Sequence, residues 1–523
     1  MVRERLKKIF PSWQNALLAL LAAGLLILAF PDFEYWFLAW IALVPLMWAV
    51  ERERSAWRSF LLGWLFGTAF FFGTCWWLTY APIHYAAVPW PLAYLLIFVA
   101  CLLSGLFPGL FAAILARLLK RFGIWAILAA PSTWVACEFA RYWLTGNNWN
   151  SLGYSQAFNG MSVDLAGFGG VLAVSFACVS LNSVWVYSAY YAHRSGQYRF
   201  GRVVATIYPG LLLIVILLAL SLEWFDWRGR GRDQGTVIAI QPNVPMSGLN
   251  QSKWHQLRDS QISLAETEID KLRTTNKVLP TTVIFPESPM NFAYEDDREF
   301  HKFINDFAIR NNVGVLFNSS EPDKTNGKYF NSAVMVGPDG KVAAEYDKIY
   351  LLPFGEAVPF PFEGLMPAFV GSFSYGSKYD LVPLGDAKAG VMICFESHFG
   401  ELSRRYVQGG ADAIIEMTND GYLGPTPVLR QHLANAVFRA VETNRPVLRV
   451  TNVGITAYID ERGNVQDPLP SYTEGTRVWT VSKSDGSQTF YVRYGDWFAW
   501  LCTIVTLLLM IPAFRKSRET ISN

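Results

Sequence analysis

The hydrophobic pattern divides the chain into a long apolar part, a mixed part and a short apolar end. From residue 14 to about 225, apolar runs follow one another, and each approaches the roughly 20 residues that cross a bilayer as a helix. We therefore predict seven transmembrane helices in residues 1–225 and an eighth in 496–523. The predicted spans are 14–30, 34–50, 58–80, 89–116, 123–140, 164–190, 204–224 and Trp497–Phe514.

Basic residues give these spans an orientation. Clusters of Arg and Lys precede the first span and follow the second, fourth, sixth and eighth. The intervening loops, 31–33, 81–88 and 141–163, contain a single basic residue, Arg141. Positive charge on every second loop is typical of the cytoplasmic face of a membrane protein. We therefore expect residues 226–495 to lie outside the cytoplasm.

The mixed part, residues 226–495, has the pattern of a folded extramembrane domain. Short β-branched runs alternate there with polar stretches of helical periodicity, which favours a layered α/β domain. A Gly-Pro-Asp-Gly turn at 337–340 predicts a hairpin between its flanking runs. Predicted strands are 236–241, 282–285, 314–318, 332–336, 342–346, 390–394, 413–417 and 446–451, and predicted helices are 254–273, 297–311 and 428–443.

Composition agrees with a membrane protein and limits its partners. Hydrophobic residues make up 52% of the chain and charged residues 16%, whereas soluble domains contain roughly 25% charged residues. The net charge of +2 gives no reason to expect a nucleic-acid partner. The six histidines are scattered without metal-ligand spacing, so we expect no metal and no cofactor.

Three runs of the mixed part end near ionisable residues that could carry chemistry: Glu287 in TTVIFPES, Lys348 in YDKIYLL and Cys394 in GVMICFES. Each has a plainer interpretation, since such a Glu is usually a cap, a Lys is usually on the surface and a Cys is usually in a core. Together they supply what a thiol nucleophile needs, because a carboxylate can take its proton and a lysine can stabilise an oxyanion. Cys394 is also the one cysteine outside the apolar stretches.

The segments FPES, YDKIYLLPFGE, CFES and TNDGY resemble the carbon–nitrogen hydrolase (nitrilase) superfamily. With the predicted spans, and with LGYSQ, QPNVP and NRPVLRVTNVGITAYID, the chain is similar over nearly its whole length to the family of apolipoprotein N-acyltransferases. The resemblance implies a membrane α-helical bundle of about eight helices plus an extracytoplasmic nitrilase-like α/β domain, an αββα sandwich.

The resemblance also implies roles for single residues. Glu287 would be the general base, Lys348 the oxyanion-stabilising lysine and Cys394 the nucleophile. Supporting positions would be Glu356, Phe395 and Glu396. Phe395 stands where the family often has Tyr, which keeps the aromatic ring but removes a hydroxyl.

Four aromatic residues are expected to bind substrate. Trp254 matches a family tryptophan near the substrate entrance. Tyr422, the last residue of TNDGY, stands where the family usually has Trp, which leaves the details of substrate contact open. Trp149 and Tyr154 lie in the aromatic loop 141–163. This loop has two interpretations, an anchor at the membrane interface or a gate facing the substrate, and residues 359–375 are a second candidate gate.

The implied reaction has two steps and two lipid partners. Cys394 would attack an ester of a membrane phospholipid, with phosphatidylethanolamine the expected acyl donor, and form a thioester. The N-terminal amine of the S-diacylglyceryl-cysteine of an apolipoprotein would then take the acyl group, which is the last step of lipoprotein maturation. The expected enzyme is a monomer of the bacterial inner membrane, and its catalytic domain faces the periplasm.

Two other functions fit parts of the pattern. A membrane-tethered amidase or nitrilase would use the same three residues, because water and an amine attack the same thioester. Eight spans argue against it, since a soluble substrate needs at most one anchor. A transporter or scaffold with a decayed outer domain is the other alternative. Transporters usually carry ionisable residues inside their spans, whereas the predicted spans of this chain contain almost none besides Glu138, which argues against this function.

Overall fold

A computed structural model describes residues 9–195, 231–275, 279–288, 293–358 and 373–514. The chain divides into two compact units, Met1–Phe225 with Tyr494–Asn523, and Asp226–Arg493. We describe each unit by itself.

The first unit is helical throughout its described residues. Four helical stretches there are long and apolar enough to cross a membrane, Ala56–His84, Trp90–Thr145, Val171–Ala192 and Trp497–Phe514. The first helix is apolar but shorter, and the predicted span 204–224 lies outside the described residues. The α-helices of this unit are α1 Trp13–Ala29, α2 Val44–Glu53, α3 Ala56–Cys75, α4 Tyr80–His84, α5 Trp90–Phe122, α6 Ala130–Thr145, α7 Gly160–Val163, α8 Ala166–Gly169, α9 Val171–Ser195 and α15 Trp497–Phe514.

The prediction of one continuous helix over 34–50 is wrong. Two separate helices replace it: a 3-10 helix at Trp36–Trp40, and then α2, which begins at Val44 and has a proline in its first turn. The break leaves backbone groups that apolar surroundings cannot satisfy. Asn182, which is fully buried, satisfies two of them: its amide donates to Ala39 O at 2.9 Å, and its Oδ1 accepts from Leu43 N at 2.9 Å.

We expect Asn182→Ala to destabilise the helical unit by about 1–3 kcal/mol, because it leaves one buried donor and one buried acceptor unpaired. Thermal unfolding of the purified protein in detergent measures this loss. Ser180→Ala is the matched control, since the Ser180 hydroxyl donates to a carbonyl of its own helix, Phe176 O. An Asn182 variant that unfolds at the temperature of the Ser180 variant would contradict this assignment.

The loop 141–163 is tied into the first unit by buried polar groups. Arg141 donates to Trp149 O at 2.9 Å, and Glu138 accepts from Leu152 N at 2.7 Å. A 3-10 helix at Leu152–Gln156 is buried along its length, Tyr154 included. Trp149 is half-buried and packs its ring 5.7 Å from that of Trp77. The expected substrate contacts of Trp149 and Tyr154 stay predictions.

Two mixed sheets form the second unit, in the residues that the structure describes. The first has the order β13-β1-β2-β3-β4-β5, with β6 beside β4, and the second has the order β12-β11-β10-β9-β8-β7. The strands are β1 Asp233–Gln241, β2 Thr281–Ile284, β3 Gly314–Asp323, β4 Lys328–Val336, β5 Val342–Asp347, β6 Phe373–Ser374, β7 Leu381–Leu384, β8 Ala387–Ile393, β9 Ala413–Thr418, β10 Val447–Thr451, β11 Ala457–Ile459, β12 Val465–Gln466 and β13 Gly475–Ser482.

Helices cover the outer face of each sheet. They are α10 Gln251–Arg273 and α11 Arg298–Asn311 on the first sheet, and α12 Gly400–Gln408 and α13 Val428–Thr443 on the second, followed by α14 Phe490–Tyr494. Alternate side chains of β1 face opposite sides of its sheet. Ile238 and Ile240 pack with Phe300 and Phe307 of α11, whereas Val237 and Ala239 point to the other face. Because the sheets also contact each other, the αββα arrangement is confirmed.

Every predicted strand and helix of this unit is confirmed, including the hairpin, in which β4 pairs antiparallel with β5. The sequence did not predict β6, β7, β11, β12, β13, α12 and α14. Most of these strands have two to four residues, too few to show an alternating pattern. The eight-residue β13 alternates exposed and buried positions only in its second half, where Val478 and Thr480 are exposed and Trp479 and Val481 are buried, and it pairs with β1 across more than 200 residues of sequence.

Candidate active site

The three candidate catalytic residues follow three strands of the two sheets. Glu287 comes three residues after β2, Lys348 directly after β5 and Cys394 directly after β8. The first two strands belong to one sheet and the third to the other. Glu287 is 5% exposed and Lys348 is 1% exposed. All six cysteines lie in described ranges, and Cys394 alone among them is not fully buried.

The structure brings the three side chains together. Lys348 Nζ lies 3.4 Å from Glu287 Oε1, and Cys394 is near enough to both for their charges to shift the pKa of its thiol. Glu356 is nearer still to the lysine, since its two oxygens lie 2.9 and 2.8 Å from Nζ. Lys348 is thus held between two carboxylates, Glu287 and Glu356.

Two asparagines that the sequence did not single out orient Glu287. Asn331 Nδ2 donates to Glu287 Oε1 at 3.1 Å and to Glu356 Oε1 at 2.6 Å. Asn318 fixes this amide by donating to its Oδ1 at 2.6 Å. The backbone N–H of Asn419 donates to the other oxygen, Glu287 Oε2, at 3.1 Å. All these partners are donors, and hydrogen bonds of this kind favour the ionised form of the Glu287 carboxyl.

Burial and charge set the protonation states. Burial raises the pKa of Glu287, Lys348 opposes that shift and Glu356 adds to it. Burial and then Glu287 raise the pKa of the Cys394 thiol well above its usual range, although Lys348 and Thr418 lower it. Burial lowers the pKa of Lys348, but Glu356 and Glu287 outweigh burial and raise it. The raised pKa of Cys394 favours the thiol form, and the raised pKa of Lys348 favours the ammonium.

The backbone at Cys394 is strained. Its φ is 53°, in the left-handed region that a residue with a side chain adopts at a cost of about 1–3 kcal/mol. The residue joins β8 to a 3-10 helix at Cys394–His398, which we call the nucleophile turn. A sharp change of direction after a buried strand places Cys394 at the end of β8, where it is partly exposed.

Glu396 connects the nucleophile turn to the segment that carries Lys348. It is fully buried, and its Oε1 accepts from Ile349 N at 2.7 Å, Tyr350 N at 3.0 Å and the Tyr346 hydroxyl at 2.8 Å. Its Oε2 accepts from Ile393 N at 2.9 Å. The carboxylate is therefore a brace between β5 and β8, and it fixes the separation of the lysine from the sulfur.

The remaining predicted residues lie in different surroundings. Phe395 stacks on His398 within the nucleophile turn, with ring centroids 5.6 Å apart. Tyr422 is 46% exposed, and burial followed by Glu287 raises its pKa to about 12, so the residue lies near that carboxylate. Trp254 is half-buried in the first turn of α10. Its expected role, like those of the other substrate-binding candidates, stays a prediction.

Comparison with known proteins finds matches in both units of the chain. The family model described as apolipoprotein N-acyltransferase N-terminal domain matches residues 22–184, and that of carbon-nitrogen hydrolase matches 278–491. The apolipoprotein N-acyltransferase of Geobacter metallireducens is 31% identical and covers 96% of each chain. Apolipoprotein N-acyltransferase 1 of Treponema denticola is 29% identical and covers 97% of this chain and 98% of its own.

Among solved structures, that of an amidase from Nesterenkonia sp. covers 53% of this chain and 97% of its own, with 15% identity and a TM-score of 0.37. The family matches fall on both units of the chain, the helical one and the one that carries the Glu–Lys–Cys cluster. The relatives match over nearly their whole length as well. This chain belongs to the apolipoprotein N-acyltransferase family.

Proposed function

We propose that this protein transfers a fatty acyl chain from a membrane phospholipid to the N-terminal amine of a diacylglyceryl apolipoprotein, through a thioester on Cys394. The observation that supports the proposal is the arrangement of three side chains: Lys348 Nζ lies 3.4 Å from Glu287 Oε1, and Cys394 is near enough to both for their charges to shift the pKa of its thiol. This geometry suits acyl transfer, because the base, the nucleophile and an anion-stabilising cation converge on one point.

In the first step, Cys394 Sγ attacks the carbonyl carbon of a phospholipid ester while the thiol proton passes to Glu287. Lys348 and the backbone N–H of Phe395, directly after the nucleophile, stabilise the oxyanion. The intermediate collapses by breaking the bond to the glycerol oxygen. That oxygen takes the proton back from Glu287, and a lysophospholipid leaves the acyl thioester behind.

The second step repeats this chemistry with a different nucleophile. The neutral N-terminal amine of the apolipoprotein attacks the thioester carbon, and Glu287 takes the proton that the amine loses. The carbon–sulfur bond then breaks, and the sulfur regains its proton from Glu287. One general base thus serves both halves, and ping-pong kinetics are expected.

The long apolar helices support a site beside lipid. Both proposed substrates are anchored in the bilayer, and exposing an acyl chain to water costs about 0.8 kcal/mol per CH₂ group. A site near the membrane surface removes that cost. We place the catalytic unit on the periplasmic face of the bacterial inner membrane, with phosphatidylethanolamine as the donor, eight spans in the chain and a monomeric protein.

The test is an assay of the purified full chain in mixed micelles with phosphatidylethanolamine and a synthetic diacylglyceryl-cysteine lipopeptide. Mass spectrometry should find lysophosphatidylethanolamine and N-acylated lipopeptide in equal amounts. Ammonia released from simple amides, without lysophospholipid, would instead identify a membrane-tethered amidase and reject the proposal.

Asn331→Ala is expected to slow thioester formation by about 10²-fold, because the amide bridges Glu287 and Glu356 and a base displaced by about 1 Å transfers protons poorly. Quenched-flow measurement of the acylated protein checks the rate. Asn326→Ala is the control, since Asn326 is an exposed amide that bonds Ser374. Equal rates for the two variants would mean that Glu287 needs no such support.

A further inference from the structure

Four buried charged side chains form a cluster behind the nucleophile that the proposed mechanism does not use. They lie on β9, on the loop after it, on α13 and on β10, and each is at most 4% exposed. We call them the charge cluster: Glu416, Asp420, His432 and Arg449. Arg449 joins the two carboxylates, with its NH1 2.5 Å from Glu416 Oε1 and its NH2 2.7 Å from Asp420 Oδ2.

The contacts of His432 determine its protonation state. Its Nδ1 lies 2.7 Å from Asp420 Oδ1, and its Nε2 lies 3.1 Å from the backbone oxygen of Cys394 and 3.1 Å from Glu416 Oε1. Carbonyl and carboxylate oxygens accept hydrogen bonds and give none. Both ring nitrogens must therefore carry a proton, which makes the ring an imidazolium. Two cations then balance two anions in a buried place, where an uncompensated charge is costly.

The bond to the Cys394 oxygen reaches the reacting site through one peptide group. The carbonyl of Cys394 and the N–H of Phe395 belong to the same planar amide. A charged donor on the carbonyl draws electron density from the nitrogen, so the N–H at the other end becomes a stronger donor. That N–H follows the nucleophile directly and is the backbone group assigned above to the oxyanion.

The helix that carries His432 also fixes the turn in place. Arg439 lies seven residues later on α13, two helical turns along the same face. Its NH1 donates to Ser397 O at 3.2 Å and His398 O at 2.9 Å, and its NH2 pairs with Glu442 Oε2 at 2.7 Å. Two cationic side chains of one helix thus hold the carbonyls of the nucleophile turn at both of its ends.

We propose that His432, kept charged by Asp420 and Glu416, is a positioning residue that polarises the Cys394–Phe395 peptide and so strengthens the oxyanion-stabilising N–H of Phe395. This inference rests on the proposed function, because it requires an acyl oxyanion at Cys394. It adds to that function a residue that touches neither substrate and acts through the backbone of the nucleophile.

The charge of His432, and with it the stability that this charge contributes, depends on pH. The groups that set its pKa face the ring: Asp420, Glu416, Arg449 and the Cys394 peptide. Burial lowers the pKa of His432, but Asp420 and Glu416 outweigh burial and Arg449 and raise it from 6.5 to about 9. Because the folded-state pKa is the higher one, the stability that the imidazolium contributes is fully present below pH 6.5. It is lost as the pH rises through about 9.

The test combines rates with a spectrum of the acylated protein. His432→Gln keeps a donor of similar reach but no charge, and it should lower the kcat of acyl transfer about tenfold while KM stays within about twofold. In the acyl-enzyme made with isotope-labelled phosphatidylethanolamine, the infrared band of the thioester carbonyl should move to higher frequency, because its hydrogen bond is weaker. His301→Gln, an exchange at an exposed histidine of α11, should change neither reading.

Each result separates this inference from the function on which it rests. A wild-type protein that forms no thioester on Cys394 would remove the proposed function itself. A His432→Gln variant with unchanged kcat, or with lower kcat and an unmoved carbonyl band, would leave the function standing and overturn the polarising role. If that variant does not fold, the wild-type acyl-enzyme serves alone: its carbonyl band should rise in frequency as the pH passes about 9, and a band that does not move overturns the inference.

Discussion

Cys394→Ser should reduce N-acyl transfer by about 10³-fold or more while the protein still folds. A serine hydroxyl holds its proton far more tightly than a thiol does, and Glu287, which is placed to take a thiol proton, is too weak a base for it. The substitution nearly keeps the size of the side chain, so the hydroxyl can take the place of the thiol near Glu287. Release of lysophosphatidylethanolamine per protein molecule measures the effect.

The matched control for this variant is Cys502→Ala. Cys502 is a buried thiol of α15, in the helical unit, and its loss should leave the turnover of the folded protein unchanged. A serine variant within tenfold of the wild-type rate would remove Cys394 from the role of nucleophile.

Lys348→Met should have the second largest effect, on stability as well as on turnover. The methionine fills a similar volume but leaves Glu287 and Glu356 facing each other without a cation. The amide of Asn331 still donates to both carboxylates, but it brings no charge. Removing one partner of a buried ion pair costs about 3–5 kcal/mol. The thioester should fail to form, because the oxyanion loses its cation and one of the two carboxylates takes up a proton.

A double variant separates these two effects. Adding Glu356→Gln to Lys348→Met removes the uncompensated carboxylate, so it should recover much of the lost stability but none of the turnover. Thermal unfolding and thioester formation, measured on the wild type, both single variants and the double variant, form a complete cycle. A double variant that regains activity would show that Lys348 acts only by balancing Glu356. Lys341→Met, at an exposed lysine before β5, is the surface control.

The sequence predicted most of the second unit because its central strands are long apolar runs. It also placed each candidate catalytic residue near the end of such a run, and in the structure Lys348 pairs with Glu287 while Cys394 follows a strand of the other sheet. Strand ends can be identified locally, from where a β-branched run meets a polar residue. The resemblance then indicated which of these ends belong together.

The parts that the sequence did not predict depend on contacts between distant segments. Asn331 lies next to Ser332 in β4, and its importance appears only when the segments after β2 and β5 bring two carboxylates to its amide. The left-handed backbone of Cys394 could not be predicted from the sequence, because this conformation is expected at glycine or asparagine and the residue is a cysteine. His432 is separated by 38 residues from the carbonyl it contacts, and no local pattern marks that pairing.

The broken helix at 34–50 has a similar explanation. Hydropathy measures how apolar a segment is but does not register where its backbone hydrogen bonds go. The break is tolerated because Asn182, more than 130 residues later, supplies the missing partners. A count of spans from hydropathy alone treats such a segment as one continuous helix.

The central claim is that Cys394 carries the acyl group between donor and acceptor, and the intact mass of the full-length protein tests it most directly. After incubation with phosphatidylethanolamine and no acceptor, the mass should increase by one fatty acyl group. Peptide mapping should place that group on Cys394, and adding the diacylglyceryl lipopeptide should remove it. An unmodified protein that nevertheless acylates the lipopeptide, or an acyl group on another residue, would contradict the account.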